Sequence, residues 1–103
     1  MTFEEFLPDY LAAHSDRRTQ IVHASATLAG VSLAAVAALK RKPSWLLAAL
    51  AIGYIPAWLS HWLIERNQPK TFKYPLLSLR GDFVMASRLL RGDLPSSASA
   101  APE

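Results

Sequence analysis

Two long apolar segments separated by a short basic turn constrain the fold of this chain more than any other feature. The segments run from Ile21 to Leu39 and from Trp45 to Ile64, and neither contains Asp, Glu, Lys or Arg. Each is about 20 residues long, the length of helix that crosses the hydrocarbon core of a bilayer. Neither shows the polar stripe of a helix in a small soluble bundle. The pattern predicts an all-α fold built on a membrane-embedded two-helix hairpin; the alternative is a buried helix pair in a soluble domain.

Small residues recur every fourth position in both segments. Such stripes let two helices approach closely in lipid, so they predict direct packing of one span against the other. An Ala-rich composition without a packing role is the alternative. The stripes consist of Ala26, Gly30 and Ala34 in the first span and Ala49, Gly53 and Ala57 in the second.

Shorter amphipathic helices are predicted on both sides of the hairpin. The first begins with a capping box, in which Thr2 is the N-cap and Glu5 lies three residues on. Asp16 or Thr19 is expected to cap the helix that contains the first span. These elements form one domain, residues 1–92, and the Ser-, Ala- and Pro-rich residues 93–103 are predicted to be disordered.

The last helix is predicted from Phe83 to Arg91. Asp82 would cap it and Gly92 would close it. Residues 72–79 are predicted to be extended or irregular, because Pro75 interrupts them.

Charge and composition restrict the partners of the chain. The net charge is +3, and the basic residues flank the apolar segments, where phospholipid headgroups would lie. No basic stripe lies apart from these edges, so nucleic acid is not an expected partner. The chain has no cysteine, which excludes disulfides and thiolate metal sites. Loop charges favour cytoplasmic termini, and a homodimer is an open possibility because two spans enclose little volume.

The chain's three histidines, His14, His23 and His61, are predicted to meet at one end of the hairpin. His23 and His61 are equally far from the turn, about 25 Å along their helices, so they lie at one depth. His14 reaches the same level if the chain reverses after it. Glu65 follows His61 by four residues and shares its helix face. Three imidazoles and a carboxylate suit iron, zinc, manganese or another borderline metal.

Structural roles for the same residues remain open at this point. His61 and Glu65 could form an interfacial pair with neighbouring arginines, and His14 could be a polar helix end. His23 could donate a hydrogen bond to a backbone carbonyl inside the hairpin. The chain would then be a non-catalytic small integral membrane protein with structural histidines.

Several motifs resemble those of a known family. The chain contains His14-Ser15, then His23, Ser60-His61, Glu65-Arg66-Asn67-Gln68-Pro69 and the stretch TFKYPLLSLRGDF from Thr71 to Phe83. These residues resemble short bacterial members of the Mpo-type 2-hydroxy fatty acid dioxygenase family, long classed as a domain of unknown function. The resemblance covers about residues 3–92, and its specific part is His61–Phe83. The chain departs from the family where Ser60 replaces a glycine and where Asp16-Arg17-Arg18 replaces an Asn-containing stretch.

The resemblance implies a function. Family members are small membrane proteins, and the characterised fungal branch is an iron-dependent dioxygenase that shortens 2-hydroxy fatty acids by one carbon. It implies a bacterial inner-membrane enzyme whose substrates are a 2-hydroxy fatty acid and O2, with iron(II), or alternatively zinc, as the cofactor. By resemblance the metal ligands are His14, His23, His61 and Glu65, with Glu65 also catalytic or holding a histidine N–H.

The substrate would be held at both of its ends. Its carboxylate and 2-hydroxyl can chelate a metal, and its acyl chain would run beside the hairpin in the lipid. Arg17, Arg18, Arg66 and Lys70 could attract the headgroup, or could anchor the protein to lipid phosphates. A zinc-dependent lipid hydrolase using the same ligands is a further alternative.

Overall fold

Four α-helices account for most of the described chain, residues 1–95 of the computed structural model. Those residues contain no β-strand, so the predicted all-α fold is confirmed. A π-turn continues α3, and a short 3-10 helix precedes α4. In chain order the elements are α1 Phe3–Ala12, α2 Arg17–Leu39, α3 Trp45–Ser60, the π-turn His61–Glu65, the 3-10 helix Lys70–Phe72 and α4 Pro75–Leu90.

Helices α2 and α3 form an antiparallel hairpin whose backbones touch along the small-residue stripes. A Cβ atom placed on Gly30 would lie 3.1 Å from the Cα of Gly53 and 3.1 Å from the backbone oxygen of Ala49. Ala26 and Ala57 are buried along the same interface. The close packing that the stripes predict is therefore confirmed.

The hairpin is long and apolar enough to cross a membrane, by length and composition. Arg17–Leu39 and Trp45–Glu65 each meet this description. In their 18-residue apolar stretches, however, only 33% and 22% of the residues are buried within the protein. Leu39 is 84% exposed and Leu47 is 72% exposed. A core helix of a soluble protein would hide such side chains, whereas extensive exposed apolar surface indicates an interaction with lipid or with another molecule.

The flanking helices begin with side-chain caps that the sequence identifies. The Thr2 Oγ1 accepts a hydrogen bond from the Glu5 backbone N–H, and a Glu5 carboxylate oxygen accepts one from the Thr2 N–H. Asp16 caps α2 by accepting a hydrogen bond from the backbone N–H of Arg18. Each cap satisfies N–H groups that the first helical turn leaves unpaired.

Helix α4 is longer than predicted and begins before Asp82. Residues 75–79 are helical, because Pro75 occupies the first turn, where a missing N–H costs nothing. The predicted cap at Asp82 is therefore wrong. Asp82 lies in the middle of α4, with its carboxylate beside Tyr10 of α1 and His23 of α2.

An apolar core joins α1 to α4 at the end of the hairpin opposite the turn. Gly92 ends α4 with a positive φ of 68°, as predicted for a C-terminal glycine. Leu94 is buried, so the packed part of the chain continues past the predicted domain boundary at residue 92. The remainder of the predicted disordered tail, residues 96–103, lies outside the described residues. The buried members of this core are Phe6, Tyr10, Met85 and Leu94.

Candidate metal centre

Three elements bring the histidines together beneath α1 and α4. His14 lies in the turn between α1 and α2, His23 lies in α2, and His61 begins the π-turn that follows α3. Their ring centroids are 4.4 Å apart for His14 and His23, 4.4 Å for His14 and His61, and 5.0 Å for His23 and His61. All three side chains are buried, and one nitrogen from each lies within 4.8 Å of the others. The predicted meeting of the histidines is confirmed.

Each ring turns its Nδ1 toward an oxygen atom. His14 Nδ1 is 2.6 Å from the Tyr10 backbone oxygen, and His61 Nδ1 is 2.7 Å from Asn67 Oδ1. Because both oxygens only accept hydrogen bonds, these two Nδ1 atoms carry the proton. His23 Nδ1 is 3.6 Å from Asp82 Oδ1. The arrangement leaves Nε2 of each ring as the atom available to a metal.

Two of these Nε2 atoms have no hydrogen-bond partner among the described residues. His14 Nε2 and His23 Nε2 are both buried and unpaired. Buried polar atoms are nearly always paired, and an exception needs an explanation such as an ion or a water. Three imidazoles suit zinc, copper, iron or nickel, and a three-ligand set leaves coordination positions open to other molecules. The residues therefore fit a metal ion.

The protonation of His14 favours metal binding at neutral pH. Burial, followed by the neighbouring His23, lowers the pKa of His14 to about 2. The imidazole is therefore neutral at pH 7, the form that coordinates metals.

Asn67 orients His61 through the geometry of the π-turn. The turn ends at Arg66, whose φ of 60° reverses the chain, and the Asn67 backbone N–H then donates to the His61 carbonyl over 3.0 Å. The Asn67 side chain donates a hydrogen bond from Nδ2 to the Ala13 carbonyl, and this leaves its Oδ1 facing His61. The sequence identifies Asn67 only as part of a helix stop and misses this role.

Asp82 faces His23 from α4, with 3.6 Å between Asp82 Oδ1 and His23 Nδ1, and the sequence does not reveal this position. The Tyr10 hydroxyl donates a short hydrogen bond to Asp82 Oδ1, the same oxygen that faces His23. Burial, followed by the charge of Asp82, raises the pKa of Tyr10 well above its usual value, so the phenol keeps its proton and remains a donor. The ring of Tyr10 also stacks on His14 at a centroid distance of 4.1 Å.

Gly81 allows α1 and α4 to come close enough for this network. A Cβ atom at this position would lie 3.1 Å from two carbons of the Tyr10 ring. Gly81 and Asp82 belong to the Arg80-Gly81-Asp82 tripeptide, and both serve the same contact with Tyr10.

Glu65 does not belong to the histidine group. Its two oxygens accept hydrogen bonds from Ser15 Oγ over 3.1 Å and from the Asp16 backbone N–H over 2.9 Å. Glu65 thus fastens the loop that carries His14 to the end of the second span. Both oxygens of Glu65 are thus turned toward this loop.

The four predicted headgroup residues lie around this end of the molecule with different partners. An Arg17 side-chain N–H donates to the Leu94 carbonyl over 2.8 Å, and Arg18 pairs with Asp16 at 2.9 Å on the surface. Arg66 is exposed. Lys70 begins the 3-10 helix, and its charge contributes to the lowered pKa of His14.

Comparison with known proteins gives one family. A family model described as 2-hydroxy-palmitic acid dioxygenase Mpo1-like matches residues 1–94, which include the three histidines, Asn67 and Asp82. No curated protein and no solved structure gives a match.

Proposed function

Because the chain belongs to the 2-hydroxy-palmitic acid dioxygenase Mpo1-like family, we propose that it is an iron-dependent membrane dioxygenase. Its substrate would be a 2-hydroxy fatty acid, and its product the acid one carbon shorter. His14, His23 and His61 would hold the metal ion through their Nε2 atoms.

The observation that carries this proposal is the orientation of the three imidazole rings. Every Nδ1 faces an oxygen, and two Nε2 atoms are buried without a partner. In a purely structural role, each unpaired buried group would cost about 1–3 kcal/mol. A metal ion would offset that cost.

The reaction needs few participants. A metal ion held by His14, His23 and His61 would supply the activation of oxygen and would bind the carboxylate and hydroxyl of the substrate. Cleavage between carbons 1 and 2 converts the 2-hydroxy acid and one O2 into the shortened acid, CO2 and water. The atoms and electrons balance without any additional reductant, which distinguishes the reaction from oxygenations that consume a second electron donor.

The residues of the chain would position and shield the reactants. Tyr10, Asn67 and Asp82 hold the rings, so that little reorganisation is needed when the metal and substrate bind. Lys70 and Arg66, at this end of the hairpin, would attract the substrate carboxylate. Glu65 would act through the His14 loop that it fastens.

The exposed apolar hairpin supports a location in the membrane. Its outward side chains would contact acyl chains, and Lys42 lies over the Trp45 ring, 5.3 Å from its centroid, as residues at a membrane interface do. We propose that both termini face the cytoplasm of a bacterial inner membrane, since basic residues are more numerous on that side of the hairpin. Such a location would deliver a lipid substrate directly to the histidines.

Metal analysis combined with an oxygen-dependent assay tests the proposal. The purified protein in lipid nanodiscs would be stripped, reloaded anaerobically with Fe(II) or Zn(II), and incubated with 2-hydroxypalmitate with and without O2. Fe(II) and O2 together should yield pentadecanoate and an equal amount of CO2. Palmitate, which lacks the hydroxyl, is the control substrate and should be unchanged.

The alternatives give different results in the same assay. Turnover with zinc that does not need oxygen would indicate a lipid hydrolase. Failure of any metal to bind would leave a structural role for the histidines and would overturn the proposal.

A further inference from the structure

An apolar groove of about 360 Å³ runs along the hairpin beside the histidine cluster. It lies between α2, α3 and α4 and is open along one side. Its lining is almost entirely hydrophobic, and Asp82 is the only residue of the lining that carries a charge.

The two ends of the groove differ in polarity. Thr27, Tyr54 and Asp82 lie at one end, while Ala34 and Leu46 lie at the end nearer the turn. Thr27 is one helical turn beyond His23, about 6 Å along α2. The carboxylate of Asp82 also faces His23, with 3.6 Å between Asp82 Oδ1 and His23 Nδ1. The polar end of the groove therefore borders the histidine cluster.

Small residues at the bottom of the groove make it deep. Gly30 and Gly53 line it at its middle, where the backbones of α2 and α3 touch. Between Thr27 and Ala34 the groove extends about 10 Å along α2, and Val31 is the only large side chain that α2 contributes to its lining. The space suits a narrow, flexible, apolar chain.

We propose that this groove is the acyl-chain site, which holds the hydrocarbon tail of the 2-hydroxy fatty acid with its polar end toward Asp82 and the histidines. The proposal rests on the proposed function for the identity of the headgroup. An amphiphile with one polar end matches the polarity of the groove, and the open side allows entry from surrounding lipid. Ala34 and Leu46 then lie where the methyl end of a long substrate would reach, so they set the preferred chain length.

A matched pair of substitutions tests the chain-length role. Ala34→Phe fills the far end of the groove, whereas Ala35→Phe places the same ring on the neighbouring exposed position, outside the lining. In Ala34→Phe, kcat/KM for 2-hydroxypalmitate should fall roughly tenfold or more while that for 2-hydroxyoctanoate changes about twofold at most. Ala35→Phe should leave both values near wild type. Iron content serves as the check that each variant folds. Equal effects of the two variants on both substrates would overturn the proposal.

Photolabelling tests the same site without turnover. A 2-hydroxypalmitate probe with a diazirine at its methyl end, applied to the protein in phospholipid nanodiscs, should label Val31, Ala34, Leu46 or Leu50. Excess unlabelled 2-hydroxypalmitate should suppress the labelling. Labelling mainly at the outward-facing Leu47 and Ile55, or labelling that only added phospholipid suppresses, would overturn the assignment. A cross-link between two copies through the groove would show a dimer contact instead, with the same consequence.

The two experiments separate this proposal from the proposed function. Groove labelling without oxygen-dependent turnover would refute the dioxygenase while the acyl site stands. Turnover with labelling scattered over the outer surface would refute the acyl site alone.

Discussion

The two ends of the α2–α3 hairpin bury different kinds of side chain. Near the turn, the helices meet through glycine and alanine, and their large apolar side chains, such as Leu39 and Leu47, point away from the protein. At the opposite end, polar groups are buried beside the apolar core of α1 and α4. They include His14, Thr19, Gln20, His23, Ser60, His61 and Ser78.

The difference shows that α1 and α4, rather than the hairpin, make the site possible. A pair of helices cannot enclose a polar cluster, whereas the described chain places Tyr10 of α1, Asp82 of α4 and Asn67 of the connecting segment around the imidazoles. The hairpin fixes the depth of His23 and His61, and the flanking elements supply His14 and the oxygens that orient all three rings.

Removing a ring from the polar end should have the largest effect. We expect His61→Ala to lose bound metal and turnover completely, because two remaining imidazoles provide too few ligands, while helical content is retained. Metal analysis, the oxygen-dependent assay and circular dichroism check this. Leu63→Ala, at an exposed position of the same π-turn, is the control. Undiminished iron in His61→Ala would defeat its assignment as a ligand.

Removing an orienting oxygen should weaken the site without abolishing it. Asp82→Asn keeps the shape and a carbonyl acceptor for Tyr10 but removes the charge that faces His23. We expect metal affinity to fall about 10–100-fold. Titration against a competing chelator measures it, with the exposed Asp93→Asn as the control. Identical affinities in the two variants would show that Asp82 serves folding only.

A methyl group at the glycine contact between α2 and α3, away from the polar end, should affect stability and leave the metal site intact. Alanine at Gly30 meets backbone atoms at 3.1 Å, whereas alanine at Gly53 finds its nearest neighbour at 3.9 Å. Because both changes gain similar helix propensity, Gly30→Ala should be less stable than Gly53→Ala by about 1–3 kcal/mol. Thermal unfolding of the two variants measures the difference, and the comparison fails if Gly53→Ala is the less stable one.

The polar end should also make stability sensitive to acid. The pKa of His14 is lowered to about 2 in the fold from 6.5 in a free side chain. Below pH 6.5 the unfolded chain therefore binds a proton that the folded chain rejects. The metal-stripped protein should lose up to about 1.4 kcal/mol of stability per pH unit from this residue as the pH falls. Urea unfolding at about pH 7 and about pH 5 measures the slope, and His14→Gln should reduce it. A slope unchanged by that substitution would contradict the burial of a neutral His14.

Regular periodicities made the hairpin and the histidine cluster predictable. The stripes that contain Gly30 and Gly53 repeat every four residues, and the equal distances of His23 and His61 from the turn follow directly from helix geometry. His14 could be included because a cap residue, Asp16, marks a reversal of the chain just after it. These inferences need only local rules.

Asp82 and Asn67 escaped prediction because each depends on a local exception. Pro75 suggests an interruption, yet in a first turn it starts a helix, which converts Asp82 from a cap into a mid-helix residue. The sequence does contain a signal for this longer helix. Pro75 is suited to a helix start, and Asp82 lies about two turns after it. The position of Asn67 beside His61 depends on the π-turn and on the positive φ of Arg66. No sequence periodicity predicts either feature.

The π-turn at His61–Glu65 makes the number of residues in this segment as important as their identity. Such a turn contains one residue more than the α-helical turn that it replaces. Deleting Leu63 would remove that extra residue, and the turn that sets Asn67 against His61 would be lost, together with the hydrogen bond from the Asn67 backbone N–H to the His61 carbonyl. The loop at Lys40–Ser44 holds no residue of the histidine site. We therefore expect insertions and deletions to be tolerated in that loop and not in the π-turn.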